Sequence, residues 1–155
     1  MKAEKGFSAT ELMIVIAIIA IVAAVVAPGF LEWRNRSRLQ GYSNNLKADF
    51  ELAKMRAIKE NAQVAIVFNQ PEFDGYRVFV DSGPNEWVLD ADERLLRDVE
   101  FPEGLVYDPV DSTFTNHRTR FNGRGLPGIL GRAVLMQQGD QREVVVNRVG
   151  RIRLN

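Results

Sequence analysis

The 155-residue chain has no cysteine and a single histidine, His117. Without cysteine no disulfide can reinforce a small core, so stability has to come from packing. No Ser-His-Asp, HExxH or phosphate-loop pattern is present, and a lone loop histidine reads as a solvated side chain. Asp90, Asp92 and Glu93 crowd one segment but lack the glycine and the distal bidentate glutamate of an EF-hand. No enzyme activity, metal or cofactor is therefore expected. Asp108, Asp111 and Thr113 read as turn residues. The formal net charge is +0, yet the distribution is uneven: residues 72–111 hold twelve acids and three bases, and residues 117–155 hold eight arginines against Asp140 and Glu143.

What the N-terminus does have is a long apolar run. Leu12 to Ala27 reads LMIVIAIIAIVAAVVA with no polar side chain. Counted from Phe7 it makes a helix of about 21 residues, roughly 31 Å long, enough to span a bilayer. One carboxylate, Glu11, sits near its start. Placing that charge in hydrocarbon costs about 2.5 to 3.5 kcal/mol, so a mere anchor would gain from leucine there, and a partner for Glu11 is implied. The leader, residues 1–6, carries Lys2 and Lys5, which hold it on the cytoplasmic side.

Gly6-Phe7-Ser8-Ala9-Thr10-Glu11-Leu12, followed by the apolar run and Pro28, resembles the class III signal of type IV pilins and type II secretion pseudopilins. The resemblance implies that a prepilin peptidase cuts between Gly6 and Phe7, that the new Phe7 terminus is N-methylated, and that Glu11 neutralises the terminal amine of a neighbouring subunit. Physically, two groups that are each costly to bury alone form a charge-assisted pair that sets the stagger of packed helices. The alternative is an ordinary signal peptide or signal anchor. It fits less well, because a normal apolar region has no acid near its start and Pro28 would follow directly on the most natural cut.

After Pro28 the helix turns amphipathic. Leu39, Tyr42, Leu46, Phe50, Ala53 and Ala57 recur at steps of three or four and predict one buried stripe running to about Asn61, with Lys47, Asp49, Glu51, Lys54 and Lys59 pointing elsewhere. Pro28 removes a backbone donor and predicts a kink, as the resemblance also implies; a simple break at the membrane surface is the other reading. Beyond Asn61 short strands follow: 64–68, 76–80, 87–89, 95–101, 105–107, 118–121, 133–137, 143–147 and 151–154, each between Gly, Pro, Asn or Asp breakers. The expected fold class is α+β, a long N-terminal helix packed on antiparallel sheets. The expected divisions are 1–6 leader, 7–27 transmembrane and assembly helix, 28–61 amphipathic helix and 62–155 globular β-rich domain.

Ala53 to Ile58 with Asn61 and Val64 to Phe68, Phe121-Asn122-Gly123-Arg124-Gly125-Leu126-Pro127, and Val144 to Arg153 are similar to the corresponding segments of GspH/FimT-type minor pilins. The chain departs from that pattern at Lys54, which occupies the position where the family carries arginine. It also lacks the C-terminal disulfide loop of many major pilins. Gly150-Arg151-Ile152-Arg153 matches a segment that the resemblance links to DNA uptake. In an extended strand Arg151 and Arg153 share one face about 7 Å apart, near the phosphate spacing of one DNA strand, and Gly150 would let backbone approach a polyanion. The competing reading makes Ile152 and Leu154 inward packing residues, with the arginines as a solvated edge or as partners of the acidic stretch.

These readings converge on a minor structural subunit of a type IV pilus or a type II secretion pseudopilus, in the bacterial inner membrane by a single pass with a periplasmic globular domain, and in a fibre after assembly. Its expected partners are other pilin or pseudopilin subunits, the prepilin peptidase and the inner membrane. The alternatives are a pilus-associated DNA-binding subunit using Arg148, Gly150, Arg151 and Arg153, and a signal-anchored periplasmic domain with no assembly role.

Overall fold

The computed structural model describes residues 8–155, apart from the side chains of residues 25–28. One helix, α1 (Ala9–Glu60), precedes eight strands. The chain divides into two compact units, Met1–Asn35 and Arg36–Asn155. In the first unit the apolar side chains among the described residues are uncovered: Met13 is 73% exposed and Ile21 67% exposed. Among the described residues no single helix is long and apolar enough to cross a membrane, whereas Ala9–Ala24 and Gly29–Glu60 pass that test as a pair. The helical stretch Ala9–Ala24 alone measures roughly 24 Å, short of a hydrocarbon core of about 30 Å. The kink expected at Pro28 falls on residues 25–28, whose side chains lie outside the described set.

In the second unit α1 is a platform for the domain. Leu39, Leu46, Phe50, Ala53 and Ala57 are buried in a single stripe and Tyr42 packs at its border. Asp49 departs from the expected pattern, being buried rather than outward. Its Oδ2 accepts the Tyr76 hydroxyl at 2.8 Å, and its Oδ1 accepts Arg97 Nε at 3.1 Å. A carboxylate can be buried here because two donors from the adjoining sheet replace its water. Burial, followed by the nearby Asp49 charge, pushes the Tyr76 hydroxyl well above the ordinary phenol range. The helix ends in a Schellman turn: Asn61 takes φ 47°, Asn61 N–H donates to Ile58 O and Ala62 N–H to Ala57 O.

The strands are β1 (Val64–Gln70), β2 (Phe73–Val80), β3 (Leu95–Glu100), β4 (Leu105–Tyr107), β5 (Arg118–Phe121), β6 (Gly131–Gln137), β7 (Asp140–Val146) and β8 (Ile152–Leu154). They form two four-stranded antiparallel sheets, β3-β2-β1-β5 and β4-β6-β7-β8. One hydrophobic cluster joins α1 to the inner faces of both sheets. Its centre is aromatic: Phe50 contacts Phe68, Phe114 and Phe121, and Phe68 stacks on Tyr107 with ring centres 4.7 Å apart. Offset aromatic stacking adds to area burial, which suits a core that no disulfide supports.

Residues 87–89, expected as a strand, are instead part of the loop from Asp81 to Arg94. Trp87 and Leu89 pack as partly buried side chains over Ala65, Val67 and Phe79 on the outer face of the first sheet. The guanidinium carbons of Arg118 and Arg120 each lie 4.6 Å from the Trp87 ring centre. A short apolar run reads the same whether it forms a strand or plugs an outer face, and only the sheet beneath distinguishes them. Phe68→Ala removes the ring around which this core is arranged. It is expected to lower unfolding stability by about 3 to 5 kcal/mol in urea titration of the full chain in detergent.

Candidate functional site

Glu11 lies in the first turn of α1. Its Oε2 accepts the Ser8 backbone N–H at 2.9 Å and the Ser8 hydroxyl at 2.8 Å, and its own N–H donates to Ser8 Oγ at 3.2 Å. This is a capping box. Ser8 and Glu11 satisfy each other's backbone donors at a helix start that would otherwise leave them bare. Ser-x-x-Glu before an apolar run is the sequence signal of this box, and it gives Glu11 a partner within its own chain. Gly6 and Phe7 lie outside the described residues.

The second candidate region is the C-terminal turn. Arg148, Arg151 and Arg153 are exposed, and none of them takes part in an ion pair among the described residues. Burial alternates along residues 151–155, with Ile152 and Leu154 half-buried and the arginines outward. Gly150 does not present open backbone to a ligand. It is buried at φ 71°, and a Cβ there would collide with the Gly125 carbonyl. Glycine is required by that turn and that close approach.

Two loops here repeat one design. Asn122 Oδ1 accepts the N–H groups of Arg124 and Leu126, and Asn147 Oδ1 accepts those of Val149 and Arg151. In each turn the fourth residue, Gly125 or Gly150, returns its N–H to the asparagine carbonyl. Gly125 sits against Ile58 and Lys54, and Lys54 Nζ donates to Gly150 O at 2.8 Å. The lysine that departs from the family pattern thus fastens the C-terminal turn to α1. Arg124, exposed in the first of these turns, adds a further arginine beside the Gly125–Gly150 contact. The repeated Asn-x-x-Gly spacing was its available signal.

Other expectations change in detail. Asp90 and Glu93 are occupied as caps: Glu93 Oε1 accepts Ser82 N–H at 2.6 Å, its Oε2 accepts Asp90 N–H at 3.0 Å, and Asp90 Oδ1 accepts Asn85 Nδ2 at 2.8 Å. Burial raises the Asp81 carboxyl above its ordinary range, opposed by Trp87 N–H and Arg120. His117 is half-buried rather than solvated, with Nδ1 3.4 Å from the Tyr107 hydroxyl. Arg94 and Arg56 reach Glu60, and Arg94 above all holds that carboxyl below its ordinary range.

Residues 43–150 match the family described as type II transport protein GspH, and residues 1–27 match the prokaryotic N-terminal methylation motif. The chain is 29% identical over 157 residues to the pilin-like protein PilA1 of Thermus thermophilus, covering 97% of this chain and 98% of that one. It is 44% identical over 51 residues to the type IV major pilin protein PilA of Myxococcus xanthus, covering 33% of this chain and 23% of that one. Among solved structures, the type IV minor pilin FimU of Pseudomonas aeruginosa aligns with TM-score 0.58 at 17% identity, over 79% of this chain and 92% of FimU. That likeness shows the fold: a long helix with antiparallel sheets, as expected for the α+β class.

Removing the Ser8 hydroxyl isolates the capping box. Ser8→Ala is expected to weaken the first turn by about 1 kcal/mol. Amide exchange at Glu11 and Leu12, measured in detergent, should accelerate by about fivefold.

Proposed function

We propose that this chain, which belongs to the GspH family of type II transport proteins, is a minor structural subunit that assembles through its N-terminal helix into a type IV pilus or a type II secretion pseudopilus. One observation carries the reading: the apolar side chains from Leu12 to Val22 that the structure describes stand exposed, Leu12 at 56% and Ile19 at 60%. A continuous apolar surface of this extent needs either lipid or neighbouring helices as its cover. A subunit that waits in a membrane and then joins a fibre uses both. The pilin relatives and the methylation motif support it.

In this reading residues 1–6 are the leader, 7–27 the membrane and assembly helix, 28–61 the amphipathic helix and 62–155 the periplasmic domain. A prepilin peptidase cleaves between Gly6 and Phe7, and Phe7 is methylated. Glu11 exchanges the Ser8 hydroxyl and N–H for the Phe7 amine of a neighbour. Pro28 is where the helix yields on assembly, and the membrane is the inner membrane, crossed once. N-terminal mass spectrometry of the purified chain is expected to give methylated Phe7; an intact Met1 or a start near Pro28 overturns the reading. Leaving a buried charge without its partner costs about 3 to 5 kcal/mol. Glu11→Gln should therefore cut fibre incorporation by more than about tenfold, scored by immunoblot of sheared fibres.

A second reading, DNA binding at the C-terminal turn, is favoured by one specific observation: Arg148, Arg151 and Arg153 are exposed with no ion pair among the described residues. Phosphates would be their counter-charges, and affinity would fall with salt. Replacing all three with alanine is expected to weaken a gel shift and flatten its salt dependence. Unchanged affinity, or affinity indifferent to salt, excludes this reading.

A further inference from the structure

The first segment of α1 is too short to cross hydrocarbon alone, so the crossing has to be completed beyond Ala24. From Leu12 to Leu31 the chain carries no charged side chain, and Glu11 and Glu32 bracket that stretch. At about 1.5 Å per residue its contour is roughly 30 Å, the thickness of a hydrocarbon core. Residues 8–29 contain no aromatic side chain. Aromatic rings begin at the far end of the ruler: Phe30 is 55% exposed and Trp33 63%, with Leu31 at 49% between them. The two rings lie 5.8 Å apart.

Helix geometry sorts the neighbours. At about 100° per residue, Trp33 and Arg34 fall on either side of Phe30 within one arc of about 100°, Leu31 adjoins that arc, and Glu32 points to the opposite flank. Glu32 and Arg34 are exposed, and neither takes part in an ion pair among the described residues. The next charges are differently placed. Arg36 is held by Asp140 at 3.0 Å, and Arg38 is half-buried. One face of α1 therefore passes from aliphatic to aromatic to cationic one hydrocarbon thickness away from Glu11.

Each of these parts suits a different depth. A phenyl ring is wholly apolar, an indole joins an apolar body to an N–H donor, and arginine lays its stem along apolar surface while its guanidinium stays in a polar layer. Water leaves both rings bare, and acyl chains leave Arg34 without a counter-charge. A phospholipid headgroup layer supplies apolar cover and phosphate within a few ångströms of each other, which is why such side chains gather at bilayer boundaries.

We propose that Phe30, Trp33 and Arg34 form a collar that seats in the phospholipid headgroup layer on the side where the rest of the chain emerges. The rings lie at the boundary with the acyl chains and the Arg34 guanidinium lies among the phosphates. The collar thereby fixes the depth at which α1 is held before assembly.

The proposal rests on the membrane residence read above, and the two tryptophans of the chain make it testable. Trp87→Phe leaves Trp33 alone, and Trp33→Phe leaves Trp87 as a control in the folded domain. In vesicles of phosphatidylethanolamine and phosphatidylglycerol, lipids brominated next to the headgroup should quench Trp33 at least about twofold more than lipids brominated at the chain ends. Neither lipid should quench Trp87. Stronger quenching of Trp33 from the chain ends overturns the proposal, and so does none from either lipid, which would leave the rings in water or against a neighbouring helix.

Because the chain lacks cysteine, Gly29→Cys reports depth through its rate of labelling by a membrane-impermeant maleimide. Nothing lies within 4 Å of a Cβ at that position, so the side chain fits. Phe30→Ser with Trp33→Ser should raise the rate by about fivefold or more, and Arg34→Glu should raise it by about threefold in vesicles rich in phosphatidylglycerol and by less in phosphatidylcholine. An unchanged rate in the serine pair denies the rings their role in depth; an Arg34→Glu effect equal in both lipids removes Arg34 from the collar. Alkaline extraction and N-terminal mass spectrometry of the same membranes separate the two layers. A chain that washes out, or that retains Met1, means that the assembly reading has failed. Methylated Phe7 on a chain that resists extraction, beside an unquenched Trp33, means that only the collar has failed.

Discussion

An apolar helix surface that the described chain leaves uncovered is the constraint on which the rest of this protein depends. Ile14, Ile16, Ile18 and Val22 are each more than half exposed. Water penalises each such side chain by about 1.5 to 3 kcal/mol relative to burial, so the segment is suited to a different solvent or to the flank of another helix. From Leu39 onward α1 follows the opposite rule, burying one stripe and keeping charge on the remainder. One continuous secondary structure therefore answers two environments, and the change of pattern marks where each applies.

Polar groups are admitted to that scheme only where the geometry supplies partners. Glu11 is held by Ser8 within the first turn, and Asp49 by Tyr76 and Arg97 from the first sheet. The two differ in reach. Ser8 is three residues away and is available as soon as the helix forms, whereas the Asp49 partners arrive only when β2 and β3 have paired. Asp49 thus ties the amphipathic half of α1 to the first sheet, while Lys54 ties it to the C-terminal turn. With no disulfide available, these polar ties and the aromatic cluster around Phe50 and Phe68 define how the helix meets both sheets.

Periodicity made much of the fold legible. The stripe from Leu39 to Ala57 and most of the short strands were readable because side-chain spacing of 3.6 or 2 survives in the primary structure. The exceptions share one cause. Residues 87–89 have strand-like composition but cover a sheet face, and Asp49 has a charged side chain but sits under two donors. Gly150 looked like an open approach for a ligand and is closed by Gly125. Each depends on a neighbour distant in the chain. Ser8 is a different kind of miss, since its partner is local and the pattern was there to be read.

What the order of residues determined by itself is the division of labour: an apolar segment with an acid at its start, an amphipathic continuation, and a string of short strands with charge of one sign gathered late. These are local properties, set by side-chain period and by the intrinsic cost of charge in hydrocarbon. Tertiary structure alone decided which charges remain free. Arg120 finds Asp81 and Glu86 through a crossing of the first sheet, and Arg148 finds no such partner among the described residues. Ion pairing is a matter of a few ångströms between distant segments, and register between strands, rather than composition, brings them within reach.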